Sequence, residues 1–195
     1  MANIKGINIK FKGALKYLAG LLFLVPGGEM VFLLWLLLDV TNEKAWLKLP
    51  DIEKTKISAK ILLVSLPAFL LLGFLSNYLL EAFNRQDAVN ALKLSEGKEL
   101  FYSFLLIVLV VPVLEEFYFR LILFELVEKT AGAGWAILVA AFFFSLVHVN
   151  IYALPILFFL GLVLGAAKRI TGHWLTAVLG HSAFNFLMFV QIKLI

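Results

Sequence analysis

Residues 100–127 read LFYSFLLIVLVVPVLEEFYFRLILFELV, and the fold depends on how this stretch is understood. It is long enough to cross a bilayer, for which roughly 20 apolar residues suffice. Its middle nevertheless holds Glu115, Glu116 and Arg120. Each charge at the centre of a membrane helix costs about 2.5 to 3.5 kcal/mol on insertion scales, so the three unpaired would cost on the order of 8 to 10 kcal/mol. They must therefore have partners or a task.

The rest of the chain puts this stretch in a membrane. Of 195 residues, 63% are hydrophobic and only 15% are charged, and the mean hydropathy is +0.99. A soluble domain of this size needs more charge to cover its surface. Apolar runs at 14–38, 59–80, 100–127, 134–151, 153–168 and 173–193 predict an all-α, polytopic transmembrane helix bundle with six spans and a polar intramembrane cavity. The stretch VPGGE at 25–29 would break or turn back the first run, making seven. The charged segments 41–58 and 81–99 read as interfacial loops or amphipathic helices. We expect one membrane domain, with residues 1–99 contributing unassigned spans and loops and residues 100–193 carrying the chemistry.

Charge and cysteine content narrow the function classes. The formal charge of +4 resides in lysines at the ends of apolar runs, such as Lys5, Lys10, Lys12 and Lys16, which suits anionic lipid headgroups rather than nucleic acid. The basic start before an apolar run resembles a signal peptide, but the run lacks a small-residue cleavage site and is expected to be a retained span. Basic residues divide eight to eight between the two expected faces, so they assign no orientation. Cysteine is absent, which excludes disulfides, thiolate metal sites and a cysteine nucleophile.

Glu116 and Arg120 stand four apart with the acid first, the favourable order for an intrahelical ion pair. We assign them as structural support. Glu115 has no such neighbour: Val111, Pro112, Tyr118 and Phe119 surround it on the helix. Pro112 removes a backbone donor one turn earlier and opens room for water or substrate. Two more polar outliers fall in apolar spans, His148 in FFFSLVH and His181 with Asn185 in GHSAFN. His181 and Asn185 are four residues apart and share a helix face. A carboxylate, two imidazoles and an amide could thus converge within the membrane, as a catalytic centre or as a proton relay or ligand pocket of a transport-type or immunity protein.

These residues form the patterns EExxxR (Glu115 to Arg120), FxxxH (Phe144 to His148) and HxxxN (His181 to Asn185). Three such motifs in order on separate spans resemble the CAAX-protease and bacteriocin-processing family, also called the Abi family, of intramembrane proteases, which includes the type II CAAX prenyl endopeptidases. The resemblance covers about residues 100–190. It implies hydrolysis of a peptide bond in a membrane-associated protein or peptide, prenylated in the eukaryotic relatives, inside a conical cavity. Glu115 and His148 would activate water, and His181 and Asn185 would donate to the oxyanion. A bacteriocin-immunity role without cleavage is the alternative, and a prokaryotic plasma membrane is the expected location.

No cofactor is expected. Zinc on Glu115, His148 and His181 is the competing chemistry, since one carboxylate and two histidines form a known zinc set. The chain has no HExxH motif, so the usual helix-borne zinc pair is missing. An aspartyl mechanism lacks a pair of membrane aspartates, because Asp51 and Asp87 fall in loops and only Asp39 lies near a span. A serine mechanism lacks a nucleophile in a glycine-flanked loop, because Ser145 and Ser182 lie in helical patterns. The GLVLG stretch at 161–165 reads as a small-residue stripe that lets two helices approach.

Overall fold

A computed structural model describes residues 50–83 and 87–194. Residues 50–195 form one compact unit. The described residues are helical without strands, as expected for a membrane bundle. The helices are α1 (Ile52–Leu80), α2 (Asp87–Leu94), α3 (Gly97–Phe104), α4 (Val111–Glu116), α5 (Phe124–Ala131), α6 (Ala133–Leu146), α7 (Leu154–Thr171) and α8 (Trp174–Leu194). Between α3 and α5 the chain never leaves a helix: π-helical segments at Leu105–Val110 and Phe117–Leu123 join α3, α4 and α5 into one rod, Gly97–Ala131, of 35 residues.

Four helices among the described residues are long and apolar enough to cross a membrane: Ile52–Phe83, Gly97–Ala131, Leu154–Thr171 and Trp174–Leu194. The expected span at 14–38, its VPGGE break and the retained-span reading lie outside the described residues. Of the charged segment 41–58, residues 41–49 lie outside the described residues; α1 starts at Ile52, because Asp51 caps it by accepting from the backbone N–H of Lys54 at 2.8 Å. One expectation needs correction. The span expected at 134–151 stops at Leu146, so α6 has only 14 residues. At about 1.5 Å per residue it covers about 21 Å, against about 30 Å of hydrocarbon.

Tight reversals place the helices antiparallel. Gly132 turns α5 into α6 with φ +88, and Gly172 turns α7 into α8 with φ +67, both left-handed positions that disfavour a side chain. The Gly172 N–H bonds back to the carbonyl of Lys168 at 2.9 Å, closing the end of α7. Across the bundle, Ser58 Oγ on α1 donates to the carbonyl of Thr176 on α8 at 2.8 Å. At one end Lys168 lies 3.6 Å from Glu128 and 3.9 Å above the ring of Phe124, tying α7 to α5.

Helices α6 and α7 approach closely, and the small-residue stripe allows it. A Cβ at Gly161 would stand 2.7 Å from the Cα of Ala141, while one at Gly165 would meet the Ile137 side chain at 3.3 Å. Lipid gives two helices no hydrophobic reason to associate, so this contact depends on backbone proximity and van der Waals packing. Gly161→Ala should lower the thermal stability of the detergent-solubilised protein by about 1 to 3 kcal/mol, the usual range for overpacking. Gly165→Ala should cost less, because the Ile137 side chain can shift and the Ala141 backbone cannot. Equal losses in thermal unfolding would contradict this account of the α6–α7 contact.

Candidate active site

The two glutamates occupy the last two positions of α4, between the π-helical segments. A π-helical turn bonds residue i to i+5 and inserts one extra residue, which turns everything beyond it relative to a regular helix. Here the N–H of Val111 reaches back to the carbonyl of Leu106, five residues earlier. Neither π-segment was foreseen from the sequence. The only local signal was Pro112, which cannot donate to a preceding turn.

Glu116 is fully buried and linked in two directions. Its Oε2 lies 2.7 Å from Nε of Arg120, itself without exposure, and its Oε1 lies 3.1 Å from Nδ1 of His181 on α8. The Arg120 contact is close but not aligned as a hydrogen bond, and among the described residues the guanidinium nitrogens make none. The Arg120 guanidinium also lies over the Phe144 ring at 5.7 Å. The ion pair expected from the i, i+4 spacing is present, and a histidine from another helix extends it.

Glu115 turns to the other side and keeps 13% of its side-chain surface. Its Oε1 lies 3.8 Å from Nε2 of His148, and its Oε2 lies 3.8 Å from Nε2 of His181. Both gaps exceed a direct hydrogen bond and suit a shared water or substrate atom. Glu115 Oε2 is buried and makes no hydrogen bond among the described residues.

Each histidine is oriented through its other nitrogen. Nδ1 of His148 lies 2.7 Å from the carbonyl of Phe144; a carbonyl only accepts, so Nδ1 carries the proton and a neutral ring has its Nε2 lone pair facing Glu115. Nδ1 of His181 donates to the Glu116 carboxylate. His148 was expected inside its span but sits just beyond the end of α6, in the turn after Leu146, with 28% of its side chain exposed.

Phe144 is the residue whose role the sequence did not disclose. Its ring centroid lies 5.0 Å from that of His148, 5.4 Å from His181 and 5.3 Å from Phe119, and it is fully buried. It fills the space between the two imidazoles and beneath the guanidinium. Asn185 is the outlier of the expected set. Its amide Nδ2 donates to the backbone carbonyl of Ile107 at 2.9 Å, in the first π-helical segment, while His181 faces the glutamates.

Residues 97–187 match the family model described as type II CAAX prenyl endopeptidase Rce1-like. These residues, just under half of the chain, are similar to an Rce1-like domain. The match takes in the Glu115–Arg120, Phe144–His148 and His181–Asn185 motifs and the α3-to-α5 rod, α6, α7 and most of α8. With this match, the four helices long and apolar enough to cross a bilayer make the chain an integral membrane protein. No curated protein and no solved structure matches the chain.

The burial of the Glu116–Arg120 pair in the Rce1-like domain makes its role measurable. Glu116→Gln leaves the guanidinium unpaired and should cost about 3 to 5 kcal/mol of stability, the usual penalty for breaking a buried ion pair from one side. The amide oxygen can still accept from His181. Adding Arg120→Leu should recover part of the loss, because no buried charge is then left alone. Thermal unfolding in detergent of the two variants and the wild type reads this directly. A double variant less stable than Glu116→Gln alone would show that the pair is not a mutual brace.

Proposed function

We propose that the protein is an intramembrane endopeptidase that hydrolyses a peptide bond of a membrane-associated protein or peptide, with Glu115 and His148 activating water. The observation that carries this reading is the Glu115 carboxylate, held in an apolar helix of membrane-spanning length with the Nε2 atoms of His148 and His181 each 3.8 Å away and with one buried oxygen unbonded. A structural carboxylate is normally engaged on both oxygens, as Glu116 is by His181 at Oε1 and by Arg120 at Oε2.

The tautomer of His148 supports a specific geometry. Its Nε2 lone pair and an ionised Glu115 are both acceptors, so a water beside them donates one O–H to each and turns its own lone pair outward. Attack on the scissile carbonyl carbon forms the C–O bond and delivers the water proton to Glu115. The carbonyl oxygen becomes an oxyanion. With Nδ1 of His181 already donating to Glu116, oxyanion donation from Nε2 requires both ring nitrogens protonated, a cation balanced between Glu115 and Glu116. The second N–H of Asn185 completes the donor pair. Each good donor is worth about 3 to 4 kcal/mol in such sites. Collapse breaks the C–N bond, and the proton passes through Glu115 or His148 to the leaving amine.

The match of residues 97–187 to the type II CAAX prenyl endopeptidase Rce1-like model supports a substrate with a prenylated C-terminal CAAX sequence, presented at the bilayer. Zinc on Glu115, His148 and His181 fits less well. A tetrahedral zinc with bonds of about 2.0 to 2.1 Å sets its ligand atoms about 3.3 Å apart, whereas each histidine here approaches a different carboxylate oxygen at 3.8 Å. Among the described residues no three such side chains form a group able to hold a metal ion. No step in this mechanism passes through one.

Glu115→Gln keeps size and polarity but removes the base. It should unfold at the wild-type temperature within about 2 °C, a change of at most about 1 kcal/mol, yet leave a farnesylated fluorogenic CAAX peptide uncut and abolish Glu115-dependent new termini in the membrane proteome. Cleavage by the folded variant would remove Glu115 from the mechanism. Exhaustive chelation should leave most of the wild-type rate intact. Loss of activity on chelation, with recovery on stoichiometric zinc, would make Glu115 a ligand rather than a free base.

A further inference from the structure

The bond from Asn185 to the Ile107 carbonyl answers a need created by Pro112. In the first π-helical segment the N–H of Val111 goes to Leu106, so the next donor in register, that of residue 112, would go to Ile107. Residue 112 is proline and has no N–H. The Ile107 carbonyl is thereby left without a partner on its own helix, in a membrane, where an unsatisfied carbonyl costs several kcal/mol. Nδ2 of Asn185 supplies the missing donor at 2.9 Å from the facing helix α8.

The alternative arrangement is an ordinary α-helix, in which Val111 would donate to Ile107 instead. That change removes the extra residue from the turn and rotates everything beyond it by about 100° relative to α3. Glu115 lies eight residues past Ile107, so its carboxylate would leave both Nε2 atoms. We propose that Asn185 is a positioning residue: by replacing the donor that Pro112 lacks, it holds the Leu105–Val110 segment in π-register and so keeps Glu115 facing His148 and His181. The same helix α8 then sets both the direction of Glu116, through His181, and the register of the helix that carries it.

This role goes beyond the protease reading and rests on it only where turnover is the readout. The test is a cycle of four proteins: wild type, Asn185→Ala, Pro112→Ala and the double variant. Pro112→Ala restores an N–H in register with Ile107, which makes the Asn185 bond dispensable. Asn185→Ala alone should reduce kcat on the farnesylated CAAX peptide by about 10⁴-fold, about 10² for the lost oxyanion donor and about 10² for a misplacement near 1 Å, with KM changed by less than about twofold. Pro112→Ala should stay within about threefold of wild type, and in its background Asn185→Ala should cost only about 10²-fold, the share of the oxyanion donor. A loss equal in both backgrounds would overturn the proposal and leave Asn185 solely an oxyanion donor. Loss of cleavage in Pro112→Ala alone would also overturn it, because the segment would then have changed register with Asn185 in place. Melting temperatures of the four proteins in detergent decide the matter without a substrate. Asn185→Ala should lower the melting temperature with Pro112 present and leave it nearly unchanged in the Pro112→Ala background, and equal drops would refute the clamp. If the wild type does not cut the peptide, the protease reading loses support while this thermal cycle still tests the clamp.

Discussion

The chain of charge from Arg120 through Glu116 to His181 is the constraint on which the rest of the domain depends. A guanidinium and a carboxylate with no exposed surface, in a membrane, are tolerable only as a pair. Because the pair is formed within one helix, it fixes which face of the Gly97–Ala131 rod points inward. Because Glu116 has a second oxygen, it also holds Nδ1 of His181 and so brings α8 against that face. Glu115, the preceding residue, then has no choice of direction. It is turned away from the ion pair and toward the two free imidazole nitrogens. Adjacent identical side chains acquire opposite surroundings because a helix separates neighbours by about 100°.

The helix that carries them is not regular, and its irregularities matter to the site. Two π-helical segments flank α4, so the glutamates lie where the rod twice adds a residue to its turn. Such segments are less stable than the α form in isolation and persist where neighbours satisfy the displaced groups. Here the Ile107 carbonyl is met by an amide from α8. The tertiary contact and the local distortion therefore support each other.

A shortened helix brings in the remaining histidine. α6 is about a turn and a half or more short of crossing the hydrocarbon, and the turn that follows it carries His148. Irregular backbone in a membrane protein is accepted when it is satisfied within the protein or lines a cavity. Asn150 accepts from the N–H of Ala153, and the N–H of Val149 bonds to Leu146. Val149 has φ +48, a left-handed conformation that a β-branched side chain rarely adopts. The close packing of Gly161 on Ala141 holds α6 against α7, and with it Phe144 and His148.

By itself the sequence determined the class of fold and offered the candidates for the site. Long apolar runs admit only membrane helices, because unpaired backbone groups are intolerable in lipid, and the i, i+4 spacing of Glu116 and Arg120 was enough to pair them. The candidates Glu115, His148 and His181 were legible because ionisable groups are costly in apolar spans and therefore stand out. What only the tertiary structure decided was which nitrogen faces which oxygen. That Glu116 rather than solvent orients His181, that Phe144 separates the imidazoles, that α6 stops at Leu146 and that Asn185 meets the Ile107 carbonyl all depend on contacts between residues 37 to 78 positions apart or on where a helix ends. Spacing along one helix cannot report them, since the rotation of each helix about its axis is fixed only when its neighbours pack against it.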